Sequence, residues 1–276
     1  MTIIIDGRQI GRDILVKTKE EVSSLPFQPV FCDVLVGDDP VSTQYVEMKA
    51  KKAESIGIKF HRANFPETIS IEELSENVKN LSNVPNICGI IVQIPLPKKF
   101  DKKIILDSVD PNLDVDCLGA IASEKFYNNE NPIGFPTALA CIEILDSVKL
   151  DLSNKKIVIL GQGDLVGKPV AHLLRSRGLN IETIRSKTEN KEQIIKEADV
   201  IISGMGNGKF ITGQMIKNGA IVIDAGTSES NGSIVGDVDL ESVKGIASYV
   251  SPVPGGVGPV TVAILLRNVL NVAKKS

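Results

Sequence analysis

Two histidines and four cysteines leave this 276-residue sequence little with which to hold a metal. The cysteines, Cys32, Cys88, Cys117 and Cys141, are widely spaced and form no C-x-x-C pair. Reduced thiols of an intracellular protein are the reading they favour. A zinc site built on His61 and His172 would need an unusual ligand set, and no metal is expected. No apolar run approaches membrane-spanning length. The opening MTIIIDG has three apolar residues before an acid, too short for a signal segment. There is no block of like charge, and a net charge of −3 gives no basic footprint for nucleic acid. The expectation is a cytoplasmic protein that engages neither nucleic acid nor membrane.

What is present is ordinary for a globular enzyme: 42% apolar and 24% charged residues, in a chain long enough for two cores. Strand-like and helix-like segments alternate, which predicts two-domain α/β architecture with mostly parallel sheets. The first half reads as a helix over 6–24, a strand over 30–36, a helix from Pro40 capped by Asp39 and stopped at Gly57, a strand near 58–62 and a helix near 70–81. An apolar strand at 89–94, a short helix at 102–109 and the loop 110–117 follow. The polar stretch FYNNEN, 126–131, reads as a candidate inter-domain loop. Strands are expected near 156–160, 181–185, 200–203, 221–224 and 246–249, and a final helix opened by Pro259.

The run from Lys156 to Leu160 enters Gly161-Gln162-Gly163-Asp164-Leu165-Val166-Gly167 and then a helix. Strand, glycine turn and helix are the context in which such a motif points to a dinucleotide phosphate site, although its G-x-G-x-x-x-G spacing is one residue longer than the commonest form. Gly161 allows the tight turn, Gly163 lets backbone approach a pyrophosphate, and the helix near Val166 and Gly167 offers free N–H groups. The alternative is a glycine turn that only packs helix on strand. The next strand ends in Arg185-Ser186-Lys187-Thr188, with no acid until Glu189. Cations there favour the 2′-phosphate of NADP over the 2′-hydroxyl of NAD. A solvated polar loop is the plain alternative.

In the first half, Tyr45 and Lys49 lie four apart and share one helix face. Alone, they would be a surface lysine beside a half-buried tyrosine. Gln93 changes the weighing, because it ends an apolar strand just before Pro95-Leu96-Pro97, where parallel sheets place their ligands. Asp114 and Asp116, two apart in the next loop, can turn opposite ways. Pro252-Val253-Pro254-Gly255-Gly256-Val257-Gly258-Pro259 precedes the last helix, and its glycines let backbone lie close to a flat ligand.

Together these segments resemble the bifunctional methylenetetrahydrofolate dehydrogenase/cyclohydrolase family. The matching strings are VGDDPVSTQYVEMKAKKAESIGI, GIIVQIPLP, LDVDCLG, LVGKPVAHLL, SKT, ADVIISGMG, GAIVIDAG, GDVD and SPVPGGVGPVT. The resemblance implies a catalytic set of Tyr45, Lys49, Gln93 and Asp116. Tyr45 would stack on the folate rings, Lys49 would handle proton transfer and water activation, Gln93 would position it, and Asp116 would bind the pterin amino-pyrimidine. Substrate binding would add Pro254, Gly255 and Gly256. Cofactor binding would fall to Gly161, Gln162, Gly163, Val166, Gly167, Arg185, Ser186 and Thr227.

The implied chemistry is NADP-linked oxidation of 5,10-methylenetetrahydrofolate, then hydrolysis to 10-formyltetrahydrofolate, within one-carbon metabolism and purine biosynthesis. The implied architecture is a catalytic domain over 1–118, completed by a returning helix at 259–276, and a Rossmann domain over 119–258. The resemblance also implies a folate cleft between the domains and a homodimer. The sequence departs from the family at Gln162 and Gly163, where an arginine and a serine are usual, at Leu113 and Cys117, where a lysine and a glycine are usual, and at 135–138, where only Thr137 remains of P-C-T-P. A dehydrogenase-only folate enzyme and a catalytically silent dinucleotide-binding protein stand as alternatives.

Overall fold

The structure is a computed structural model and describes residues 1–131, 133–230 and 233–275. The expected chain end at Ser276 lies outside them, as do Pro132, Asn231 and Gly232 within the span 119–258. In chain order, β1 (Ile3–Ile4) and α1 (Gly7–Ser23) precede an alternating run. That run is β2 (Val30–Val36), α2 (Pro40–Ser55), β3 (Lys59–Phe65), α3 (Ile71–Asn80) and β4 (Ile87–Val92). Three helices follow: α4 (Lys102–Leu106), α5 (Ala120–Tyr127) and α6 (Pro136–Ser147). The second run is β5 (Ile157–Leu160), α7 (Gly167–Ser176), β6 (Ile181–Ile184), α8 (Lys191–Glu197), β7 (Val200–Ser203) and β8 (Ile221–Asp224). The antiparallel pair β9 (Ser228–Ser230) and β10 (Ser233–Val235), α9 (Leu240–Val243), β11 (Tyr249–Val250) and α10 (Val257–Ala273) complete the chain. Among the described residues, no helix is long and apolar enough to cross a membrane.

The chain divides into two compact units, one of Met1–Arg12 with Thr137–Ile264 and one of Asp13–Pro136 with Leu265–Ser276. These limits differ from the expected 1–118 and 119–258, for local reasons. β1 pairs in parallel with β11, which draws the N-terminus into the dinucleotide unit. Residues 119–136 stay with the catalytic unit, where Ala120 N–H donates to Asp107 and the Phe126 and Phe135 rings meet edge to face at 5.0 Å. Phe126 and Tyr127 therefore close α5, and of the expected loop Asn128 and Asn129 are turn while Glu130 and Asn131 are irregular. Helix α10 starts at Val257, two residues before Pro259, because a first-turn residue needs no N–H partner. From Leu265 on it belongs to the catalytic unit, where Asn268 Nδ2 donates to the carbonyls of Val115 (2.9 Å) and Gly134 (2.8 Å).

The catalytic unit holds a parallel sheet of order β3-β2-β4. Side chains alternate across a strand. Cys32, Val34 and Val36 enter one core with Leu74 and Val78 of α3 and Ile90 and Val92 of β4. Asp33 turns to the opposite face, the face of α2. Helix α2 begins as the sequence predicts: Asp39 accepts from Ser42 N–H at 2.8 Å and Pro40 is its first residue. Gly57, at φ +88°, takes the left-handed conformation after it.

The other unit carries a parallel sheet of order β1-β11-β8-β7-β5-β6. Its core includes Val158, Leu160, Ile201, Val222 and Val250. Strand order turns at β5, with β6 on one side and β7 on the other. Ligands of open parallel sheets bind at the carboxyl ends of strands at such a point.

Candidate active site

The catalytic unit brings four expected residues and one unexpected residue together. Helix α2 supplies Tyr45, which is exposed, and Lys49, which is not. Lys49 Nζ donates to Gln93 Oε1 at 2.7 Å and lies 2.6 Å from Asp33 Oδ2. The Lys49 and Asp33 side chains are 6% and 0% exposed, so this is a buried ion pair. The surface-lysine alternative for Lys49 is thereby excluded. Gln93 is the first residue after β4, not its last, and its Nε2 donates to Ile94 O at 2.7 Å. That second bond fixes which end of the amide faces the lysine.

Asp114 and Asp116 do turn different ways. Asp114 is buried and accepts the N–H of Gly119 at 2.7 Å, so it braces its own loop. Its backbone bridges to Ile90 of β4, which fastens the loop beside the sheet. Asp116 keeps some solvent contact. Burial nonetheless pushes its carboxyl up to about 7, with Lys49 opposing and Asp114 and Asp33 assisting. Asp33 is raised as well, by burial, against the pull of Lys49. One ammonium thus faces a set of reluctant carboxylates. Cys117, where the family uses glycine, holds the left-handed conformation at φ +59° and is buried.

Asp33 escaped the sequence reading. The signal was one acid in the otherwise apolar run VFCDVLV, a residue that a seven-residue buried strand cannot carry without a partner.

In the dinucleotide unit, the turn after β5 has the expected form. Gly161 lies at φ +85°, and a Cβ there would meet Gly204 O at 2.7 Å. A Cβ at Gly167 would meet Gly161 O at 2.0 Å, so this glycine sets the contact between α7 and the turn. Nothing lies within 4 Å of a Cβ at Gly163, which leaves room beside the backbone. Val166 precedes α7 without a side-chain cap; in the first turn Lys168 N–H donates to Gly163 O at 3.2 Å and Pro169 has no N–H, which leaves Gly167 as the donor for an anion. Gln162 turns back and donates to Gly161 O at 2.7 Å. Arg185, Ser186 and Lys187 are exposed directly after β6. The residues fit a dinucleotide phosphate group.

Thr227 is exposed after β8. Pro254, Gly255 and Gly256 belong to this unit, not to the unit holding Tyr45 and Lys49. Gly255 takes φ +106°, and a Cβ on Gly7 would strike Gly256 O at 1.9 Å. Two further acids were missed here. Asp237 accepts from Ser203 Oγ (2.6 Å) and from the N–H groups of Met205 and Asn207 (both 2.7 Å). Asp224 accepts from Gly226, Asp237 and Val238. Both acids hold loops at the carboxyl end of the sheet.

The tetrahydrofolate dehydrogenase/cyclohydrolase catalytic-domain model matches residues 5–116, and that family's NAD(P)-binding-domain model matches 136–276. The chain belongs to the tetrahydrofolate dehydrogenase/cyclohydrolase family. Curated relatives in it include the bifunctional protein FolD of Halothermothrix orenii, 39% identical over 98% of each chain, and that of Nitratiruptor sp., 38% identical over 99% of this chain and 98% of the relative. Among solved structures, the chain is similar to the bifunctional FolD methylenetetrahydrofolate dehydrogenase/cyclohydrolase of Campylobacter jejuni, with a TM-score of 0.95, 34% identity and coverage of 100% and 99%. It is also similar to the Trypanosoma brucei enzyme complexed with NADP and an inhibitor, with a TM-score of 0.92, 32% identity and coverage of 99% and 98%.

The buried acids of this family member give a stability prediction. Burial lifts Asp114 and Asp224 to about 6 and Asp116 to about 7, and raises Asp33 too. Each holds its proton more tightly folded than unfolded. Their stabilising effect is therefore present at low pH and is lost as pH rises from the ordinary carboxyl range through 6–7. His172, lowered by burial, acts the other way but is one group against four. The unliganded protein is expected to melt a few degrees higher near about pH 5.5 than near about pH 8. Thermal melts across that range test this, and a lower melting point at the acid end would contradict it.

Proposed function

We propose that this chain oxidises 5,10-methylenetetrahydrofolate with NADP and then hydrolyses the methenyl product to 10-formyltetrahydrofolate, with Tyr45, Lys49, Gln93 and Asp116 as the working side chains. The observation that carries the assignment is the buried Lys49 amine, held 2.7 Å from Gln93 Oε1 next to the partly open Asp116. NADP supplies the hydride acceptor. Tyr45, exposed one turn before Lys49, offers a ring face for the pterin. Asp116 accepts from the amino-pyrimidine edge. In its neutral form, with one N–H toward Gln93 and one toward Asp33, the Lys49 amine takes a proton from water on its lone pair as the water attacks the methenyl carbon, and the resulting ammonium returns it to the ring nitrogen as the C–N bond breaks. The remaining hydroxyl proton is released, which balances the hydrolysis. A dehydrogenase-only enzyme would have no such use for a proton carrier here.

The glycine turn, with Gly161, Gln162, Gly163, Val166 and Gly167, receives the pyrophosphate, and Thr227 lies at the same end of the sheet. Arg185 and Ser186, with Lys187, receive the 2′-phosphate. Pro254, Gly255 and Gly256 present backbone to the folate. A homodimer and a cytoplasmic location are proposed on the family resemblance. The test is hydrolysis of methenyltetrahydrofolate by the purified chain, expected well above the buffer rate; no acceleration would refute the second activity.

Cofactor choice gives a separate prediction. Arg185→Ala is expected to weaken NADP binding by about tenfold or more, the worth of a charge-assisted bond, and to leave NAD nearly unaffected. Titration with each dinucleotide checks this. Equal losses would remove Arg185 from 2′-phosphate recognition.

A further inference from the structure

We propose that Asp33 is a positioning residue for the hydrolysis, fixing the direction in which the Lys49 nitrogen meets its substrate. The inference rests on the assignment of Lys49 above. An ammonium has three N–H groups. One is directed to Gln93 Oε1 at 2.7 Å, and Asp33 Oδ2 lies 2.6 Å from the same nitrogen. Two anchors leave one position of the nitrogen for a reacting water or a leaving ring nitrogen. Gln93 is itself tied to Ile94 O, and Asp33 sits mid-strand in β2, between β3 and β4. Both anchors are therefore rigid.

A purely structural role fits Asp33 poorly. Its Oδ1 and Oδ2 are both buried without a well-formed hydrogen bond, and Oδ2 meets Lys49 Nζ as an ion contact at 2.6 Å. A buried ion pair rarely stabilises more than apolar residues of the same volume. Burial raises its carboxyl, so the group is costly to keep charged, and Lys49 is the cation beside it.

The other charged groups near the pair are accounted for. Glu47 of α2 is held by Arg62 of β3 at 2.8 Å. Asp114 is bound to Gly119 N–H, and Asp116 acts on Lys49 through space. Cys32, the neighbour of Asp33, faces the opposite core, and burial pushes its thiol up to about 12.

The test is the pH profile of methenyltetrahydrofolate hydrolysis. The limb that depends on Lys49 is the one that vanishes in Lys49→Met. Removing a neighbouring anion disfavours an ammonium, so in Asp33→Asn this limb is expected to move about one unit or more to lower pH. Asp33→Glu keeps the charge but moves it, so the limb should stay within about half a unit while the rate falls. An unmoved limb in Asp33→Asn overturns the inference. If Asp33→Asn does not fold, the double variant Asp33→Val/Lys49→Met decides by melting. A melting point at or above that of the parent protein supports the inference, and one well below it makes the pair a structural prop and overturns it. Wild-type hydrolysis in Lys49→Met would instead sink the assignment of the lysine. Loss of hydrolysis there with an unmoved limb in Asp33→Asn sinks only Asp33.

Discussion

Lys49→Met is expected to lose about 10²–10⁴-fold of the cyclohydrolase rate while keeping measurable dehydrogenase activity, so that methenyltetrahydrofolate accumulates. Hydride transfer from a bound methylene bridge needs alignment but little proton chemistry in that step. Hydrolysis needs a proton taken from water and another delivered to a ring nitrogen. The buried Lys49 amine, between Gln93 and Asp33, is placed for that traffic. Methionine preserves the length and apolar stem of the side chain, so the loss reports the amine. Following both activities in one purified variant, with folding checked by melting, is the measurement. Wild-type hydrolysis would remove Lys49 from the mechanism. Equal collapse of both activities would mean that it chiefly positions the folate.

Asp116→Asn is expected to weaken folate binding at least about tenfold at neutral pH, because an amide cannot accept two bonds from an amino-pyrimidine as a carboxylate does. The effect carries a pH signature. Burial pushes the Asp116 carboxyl up to about 7, so protons compete with the folate below that value. In the parent protein, affinity should rise with pH until about 7 and then level off; in Asp116→Asn that rise should disappear. Folate titrations across this range check both parts. Unchanged affinity in a folded variant would end the assignment.

Local chemistry was well expressed in the sequence where a residue type admits few conformations. Asp39-Pro40 and Gly57 bracket α2, and the turn after β5 carries glycines where a side chain would collide with Gly204 or Gly161. Tyr45 and Lys49 stood out on one helix face and Gln93 at a strand end, whereas Asp116 was told apart from Asp114 only by the family resemblance. What stayed hidden depends on distant partners. β1 is two residues long and exists because Ile3 and Ile4 pair with Tyr249 and Val250. Asp33 becomes meaningful only when α2 folds over β2 and brings Lys49 to it. The aromatic contacts of Phe126 and Tyr127 with Phe135 likewise turn an apparent loop into the end of a helix.

Oxidation and hydrolysis are expected to follow one another on this one chain. The direct measurement is a time course with the purified chain, limiting 5,10-methylenetetrahydrofolate and excess NADP, following reduced cofactor and methenyltetrahydrofolate by absorbance and 10-formyltetrahydrofolate by chromatography. One reduced cofactor per folate is expected, with a methenyl signal that rises and then decays into an equal amount of 10-formyltetrahydrofolate faster than in buffer. A methenyl product that persists, decaying no faster than in buffer, or a folate consumed without cofactor reduction, would contradict it.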